Sequence, residues 1–253
     1  MSFILNPDFT ANKDAIKDFI INFNSKGILF GDGKRNKIKV FELDTKSVNI
    51  KSFKVPNLIN QVVYKFFRKS KAKRSFEYAT RLMQMGIGTP TPIAYSENFS
   101  LVGLQDSYYV CQHLLTELTF RELVEIPDYP ENELILRQFV NFSFQLHDKG
   151  VEFLDHSPGN TLIKKIDENN YEFYLVDLNR MKFHTSKMSI SDRMKNICRI
   201  TPGIAFVEII SKEYARIANL PEQEVFDLLY KHSSEFFKKF DNKKKLKKYL
   251  KFK

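Results

Sequence analysis

The sequence predicts an α+β protein in two parts, an antiparallel sheet with helix in residues 1–114 and a mainly helical part in residues 115–253. Three observations carry this reading. Within residues 27–54, the runs 37–41 and 48–54 alternate apolar and polar side chains with period two, as half-buried strands do. Residues from about 132 onward show the wider spacing of helices. Inside that helical part, one short pair of β-rich runs flanks a polar turn.

Taken in chain order, the first two dozen residues carry a mixed helical pattern. Gly27-Ile28-Leu29-Phe30 is a short apolar run, and Gly31-Asp32-Gly33 marks a turn. Lys37-Ile38-Lys39-Val40-Phe41 and residues 48–54 then alternate, giving three successive antiparallel strands. Residues 58–85 read as helix with a break at Ser70, ended by Gly86, Gly88, Pro90 and Pro92. Tyr108-Tyr109-Val110-Cys111 is a further strand. Residues 134–149 form an amphipathic helix closed by Gly150, which suits the left-handed cap position.

Composition excludes several classes. With 43% hydrophobic and 28% charged residues the chain is globular. Two cysteines, Cys111 and Cys198, make no disulfide framework or zinc signature. The polar start lacks the pattern of a signal peptide, and no apolar run is long enough to span a bilayer. The expected location is the cytoplasm, compatible with peripheral attachment to the inner face of its membrane. The net charge of +10 is concentrated in Lys65, Arg68, Lys69, Lys71, Lys73 and Arg74 and in a tail from Lys238 to Lys253. Such clusters attract phosphate groups or a solvent shell. No reading helix or RNA-binding motif accompanies them, so nucleic acid is not an expected partner.

The chemistry concentrates around the short hairpin. Asp167-Glu168-Asn169-Asn170 separates β-rich runs at 161–166 and 171–176. Pairing them symmetrically, with Ile166 opposite Tyr171, places Asn160 opposite Asp177. Facing residues of an antiparallel pair lie ~5 Å apart, so an amide oxygen and a carboxylate would converge. Both are hard oxygen ligands suited to Mg²⁺ held together with substrate phosphates. Asp155, on the loop leading in, would reach the same space as a base. Each of these residues alone would be an ordinary turn former. Their D-x-x-x-x-N spacing and the shared hairpin point to a site.

The run from Leu146 to Asn160 resembles the catalytic loop of protein-kinase-like enzymes, and Val176-Asp177-Leu178-Asn179 resembles their D-F-G position. The resemblance implies a two-lobed kinase-like fold, with Asp155 as the catalytic residue and Asn160 and Asp177 as metal ligands. It also implies that Lys51 of Val48-Asn49-Ile50-Lys51 binds the phosphates of ATP, paired with Glu77 on the following helix. Gly31 and Gly33 correspond to a degenerate glycine-rich loop. The strand ending at Cys111, with Gln112-His113-Leu114, corresponds to the interlobe hinge, whose backbone near Cys111 and His113 would hold adenine. Phe153 stands at the H-R-D histidine, Asn179 replaces the D-F-G glycine, and no A-P-E motif follows. These departures point from regulated protein kinases toward small-molecule or lipid-linked-sugar kinases.

Over residues 27–185 the pattern is similar to the bacterial lipopolysaccharide kinase family, through Ile50-Lys51-Ser52-Phe53, the basic segment to Arg74, and Gly86-Ile87-Gly88-Thr89-Pro90-Thr91-Pro92-Ile93. That implies ATP and Mg²⁺ as cofactors and Kdo or heptose of the inner core as acceptor. A lipid-linked sugar would also account for residues 58–69, where apolar and basic residues mingle as in helices at anionic membrane surfaces. Packing of that helix on the small lobe accounts for it equally well. Another small-molecule or protein hydroxyl as acceptor keeps the fold. A membrane-binding pseudokinase scaffold is the non-enzymatic alternative.

Overall fold

A computed structural model describes residues 2–33, 36–126 and 128–251, with side chains to Leu246. Lys34 and Arg35 of the glycine turn, the side chains of Lys247, Lys248, Tyr249 and Leu250, and Phe252 and Lys253 of the basic tail lie outside what is described. The chain divides into two compact units. One comprises residues up to Leu115 together with Asp177–Asn179, and the other Thr116–Val176 with the residues from Arg180 onward.

The first unit is built on strands β1 (Ser2–Leu5), β2 (Ile28–Phe30), β3 (Lys37–Leu43), β4 (Lys46–Ser52), β5 (Pro92–Phe99) and β6 (Leu104–Gln112). They form one antiparallel sheet in the order β1-β5-β6-β4-β3-β2. Helices α1 (Lys13–Ile21), α2 (Leu58–Phe66) and α3 (Lys71–Gln84) accompany it. Ile16, Ile20 and Phe23 pack with Phe41, Val48, Ile50 and Val110, a buried cluster that places β4 in the middle of the unit. Ser70 caps α3 by accepting from Lys73 N–H, which accounts for the break in the helical run.

Strands β1 and β5 escape a reading by periodicity. β5 is buried along six consecutive residues from Pro92, so it shows no alternation. Its opening proline, which reads as a breaker, is tolerated at a strand's first residue.

The second unit contains β7 (Leu118–Thr119), α4 (Phe120–Glu125), α5 (Asn132–Asp148), β8 (Val151–Phe153), β9 (Thr161–Lys165), β10 (Tyr171–Leu175), β11 (Met181–Phe183), α6 (Ile190–Ile197), α7 (Ile204–Ala218) and α8 (Glu222–Lys251). Its core gathers Phe120, Leu136, Phe139, Ile163, Phe173, Ile210, Tyr214 and Leu229. Phe139 of α5 is the hub: its ring centroid lies 4.6 Å from Phe120, 5.6 Å from Phe173 and 5.6 Å from His156. Gly150 ends α5 with φ of 71°, and a β-carbon there would fall 2.8 Å from the His184 carbonyl.

The β9–β10 hairpin has a different register from the symmetric one. Tyr171 faces Lys165 and Leu175 faces Thr161, so Asn160 lies opposite Val176 rather than Asp177. Val176 N–H accordingly donates to the Asn160 carbonyl at 3.0 Å. Two causes act together. The Asp167 carboxylate accepts from Asn169 N–H at 2.8 Å and Ile166 N–H donates to the Asn170 carbonyl, closing a three-residue tip. The core also demands that buried Ile163 face buried Phe173. A one-residue slip would set it against Tyr174 on the other face.

Candidate active site

In the first unit the chemistry converges on Asp177. Lys51, second from the end of β4, sends its ammonium to Asp177 Oδ1 at 2.7 Å, and the Asn179 amide donates to the same oxygen at 2.7 Å. The Lys51 ammonium also sits 5.4 Å from the centre of the Phe53 ring. Asp177 itself adopts left-handed backbone, with φ of 59°. Asp and Asn visit this conformation more readily than other residues with a β-carbon, as Asp44 and Asn219 also do here. Both donors use Oδ1, so neither occupies Oδ2.

The expected Lys51–Glu77 pair is not formed. Glu77 is held by Lys69, at 2.8 Å, on the exposed side of α3. Lys51 has a carboxylate closer to hand in Asp177, and Lys69, just before the Ser70 cap, reaches Glu77 from its own neighbourhood.

The turn after β2 keeps its two glycines in left-handed backbone, Gly31 at φ of 81° and Gly33 at 62°. A β-carbon on Gly31 would meet nothing within 4 Å, so conformation and not space is what glycine supplies there. Near the end of β6, Cys111 lies inside the ladder, opposite Asn49 and Pro92. Burial pushes its thiol up to about 12, which keeps it neutral. His113 N–H is already donated to the Ser47 carbonyl at 2.9 Å, and its ring meets Phe30 edge-on at 5.4 Å. The backbone N–H groups of Gln112 and His113 are therefore committed.

In the second unit, the Asp155 carboxylate is gripped by two arginines. Arg180 Nη1 lies 3.1 Å and Arg199 Nη1 3.5 Å from Asp155 Oδ1. Arg199 is itself anchored by donating to the Leu154 carbonyl at 2.9 Å and by stacking 5.2 Å from the Phe236 ring. Asn160 donates its amide N–H to the Asp155 carbonyl at 2.8 Å, which fixes the amide and leaves its oxygen as the outward acceptor. Arg121, at the start of α4, comes close to the intervening turn: its Nη2 lies 2.6 Å from where a Gly159 β-carbon would stand.

Arg121, Arg180 and Arg199 were absent from the sequence expectations. Arg180 directly follows the D-F-G-like run and was within reach of a motif reading, but Arg199 lies 44 residues from Asp155 and gives no local signal.

Behind the loop two histidines are buried and neutral. His147 bonds Tyr214 and Asn196, and burial pushes its pKa down to about 3. His156 packs 5.5 Å from the Phe153 ring, and burial pushes it down to about 4. Phe153 thus fills the place of the expected histidine as a core residue, with its carbonyl held by Asn196 at 2.9 Å. Both histidines have folded pKa values below the unfolded value of ~6.5. The unfolded chain then binds more protons between those limits, so stability is full above about pH 6.5 and falls as pH drops toward 4 and 3. Thermal melts across that range should show a steep acid loss, on the order of 3 kcal/mol per histidine, and His156→Phe should flatten it. Equal slopes for the two proteins would remove His156 from this role.

Among the described residues no group of three or more His, Cys, Asp or Glu gathers to hold a metal. That donor set is not what Mg²⁺ needs, since it is usually held by one or two oxygen side chains plus substrate phosphates. Asp177 Oδ2 in the first unit and the Asn160 amide oxygen in the second are each a hard oxygen acceptor of that kind.

No family model matches the chain, and no curated protein matches it. Among solved structures, WaaP in complex with acyl carrier protein matches with a TM-score of 0.64 at 17% identity, over 94% of this chain and 99% of that one. A MAP kinase, LmaMPK10 from Leishmania major, matches with a TM-score of 0.48 at 14% identity, over 81% of this chain and 61% of its own. The chain has a protein-kinase-like α+β fold, with the six-stranded antiparallel sheet in its N-terminal unit and mostly helices in its C-terminal one.

Proposed function

We propose that this chain is an ATP-dependent phosphotransferase acting on a sugar hydroxyl, Kdo or heptose, of the lipopolysaccharide inner core. The observation that carries the phosphotransferase reading is the 2.7 Å pair between Lys51 and a left-handed Asp177. Phosphoryl transfer asks little covalent work of a protein and much charge neutralisation and positioning. Lys51 binds the α- and β-phosphates, releasing Asp177 Oδ1 as it turns to the nucleotide. Asp177 and Asn160 would hold Mg²⁺, which would supply further positive charge to the nucleotide's phosphates. With the Gln112 and His113 N–H groups committed, adenine would be held by another backbone group of the 111–114 segment.

Asp155 orients the acceptor. As its hydroxyl oxygen bonds the γ-phosphorus and the bond to the β–γ bridging oxygen breaks, the hydroxyl proton passes to Asp155 Oδ2 and ADP leaves. Arg180 and Arg199 at Asp155, with Arg121 nearby, support an anionic acceptor such as an inner-core sugar over a cationic aminoglycoside. The resemblance of residues 27–185 to lipopolysaccharide kinases supports the same choice.

The test is transfer of label from γ-labelled ATP, with Mg²⁺, to purified inner-core glycolipids carrying Kdo or heptose. Labelled glycolipid is expected. Mg·ATP stabilisation without transfer to either sugar would refute the acceptor, and no stabilisation by Mg·ATP would refute the kinase reading itself.

A further inference from the structure

Helix α2 is built inside out. A helix of a soluble unit normally turns its apolar stripe inward. Here Gln61, 8% exposed, is the buried residue, while Ile59 is 77% and Phe67, just past the helix, 83% exposed. Leu58 and Phe66 are exposed as well.

The inward side is held by polar contacts. Gln61 donates to the Pro56 carbonyl at 3.0 Å and accepts from the Gln105 amide at 3.2 Å. The turn between β5 and β6 abuts the helix so closely that a β-carbon on Gly103 would fall 2.5 Å from the Gln61 backbone. Lys65 ties the two together by donating to the Ser100 and Leu101 carbonyls, at 3.2 and 2.6 Å. Ser100 Oγ accepts from Val102 N–H and Gly103 N–H, which holds Leu101, 97% exposed, and Val102 outward at the tip. The outcome is one braced platform of projecting apolar side chains.

Its own segment carries charge of one sign as far as Glu77, which pairs with Lys69 at 2.8 Å. Residues 53–76 contain Lys54, Lys65, Arg68, Lys69, Lys71, Lys73 and Arg74 and no Asp or Glu. Beside α2 lies a depression lined by Lys54, Asn57, Asn60, Tyr64, Lys71 and Gln105, whose two lysines suit a phosphate group. Among the described residues no helix is long and apolar enough to cross a membrane.

We propose that α2 and the 99–104 turn dock this chain on an anionic phospholipid bilayer. Phe66, Phe67, Leu101 and Val102 enter the acyl boundary, and the lysines of the depression hold headgroup phosphates. This goes beyond phosphotransfer, and its test does not depend on it.

The chain contains no Trp, so Phe67→Trp is a single-site reporter. With phosphatidylglycerol-containing vesicles its emission should shift to the blue and the protein should co-sediment. Pure phosphatidylcholine vesicles should do neither. Phe67→Ser with Leu101→Ser should weaken co-sedimentation by ~10-fold or more. Lys54→Gln with Lys71→Gln should cost ~5-fold for each charge removed. Both pairs should melt like the parent, which separates lost docking from lost folding. Absence of binding to anionic vesicles, or binding indifferent to the Phe67/Leu101 pair, would overturn the proposal. So would a blue shift produced by purified acidic protein but not by vesicles, or by self-association that Phe67→Ser abolishes.

Discussion

Asp177→Ala should abolish phosphotransfer, by ~10³-fold or more in kcat, together with the stabilisation of the protein by Mg·ATP. The expected size follows from the several kcal/mol that a correctly held divalent cation contributes to a phosphoryl transition state, at ~1.4 kcal/mol for each tenfold. The variant removes the proposed metal ligand and frees Lys51, whose ammonium loses its 2.7 Å partner. Stability should respond far less. The Lys51–Asp177 pair is partly exposed, with the Asp177 side chain 36% accessible, so screening leaves it worth little. Against that loss stands the left-handed backbone at φ of 59°, which costs an L-residue ~1–2 kcal/mol. Asp177→Gly should therefore be as dead as Asp177→Ala and melt higher. Measured kcat and melting temperature for the two variants test both halves. Activity in Asp177→Ala within threefold of the parent would remove Asp177 from the site.

The fold was legible where physics leaves a local trace. The strands at 37–43 and 46–52 show their alternation, the helix over residues 132–148 shows its stripe and cap, and Ser70 marks the join between α2 and α3. What stayed hidden depends on partners distant in sequence. β1 pairs with β5, some 90 residues away; β1 has three apolar residues in a row and β5 is buried along six, so neither alternates in sequence. The orientation of α2 was hidden for a related reason. Periodicity identifies an apolar face but not the side to which it turns, and contacts far along the chain such as Gln61–Gln105 and Lys65–Leu101 decide that.

The candidate site divides in the same way. Asp155, Asn160 and Asp177 announce themselves by spacing. The geometric argument linking Asn160 to Asp177 needed a register that the Asp167 turn shifts by one residue. Motif spacing offered Glu77 as the partner of Lys51. It carried no information on the competing carboxylate, which is 126 residues away in sequence.

Asp155→Asn should separate catalysis from nucleotide binding. Arg180 and Arg199 both engage Oδ1, which fixes the carboxylate and leaves Oδ2 to take the acceptor's proton. Asparagine has the same shape and accepts no proton at its amide nitrogen, so kcat should fall by ~10²–10⁴-fold, the range expected of a lost general base. The residues proposed to hold Mg·ATP are others, Lys51, Asp177 and Asn160, so KM for ATP and the thermal shift with Mg·ATP should stay within about twofold. This pattern is opposite to that of Asp177→Ala, which should lose the shift along with the rate. Asn160 complicates the comparison only slightly, because it donates to the main-chain carbonyl of Asp155 and not to the side chain being replaced. If Asp155→Asn loses the Mg·ATP shift as fully as Asp177→Ala does, the two carboxylates share one role and the acceptor-orienting residue must be sought elsewhere. If it keeps both the shift and the rate, transfer proceeds without proton abstraction by Asp155, and its two arginines become its reason for being there.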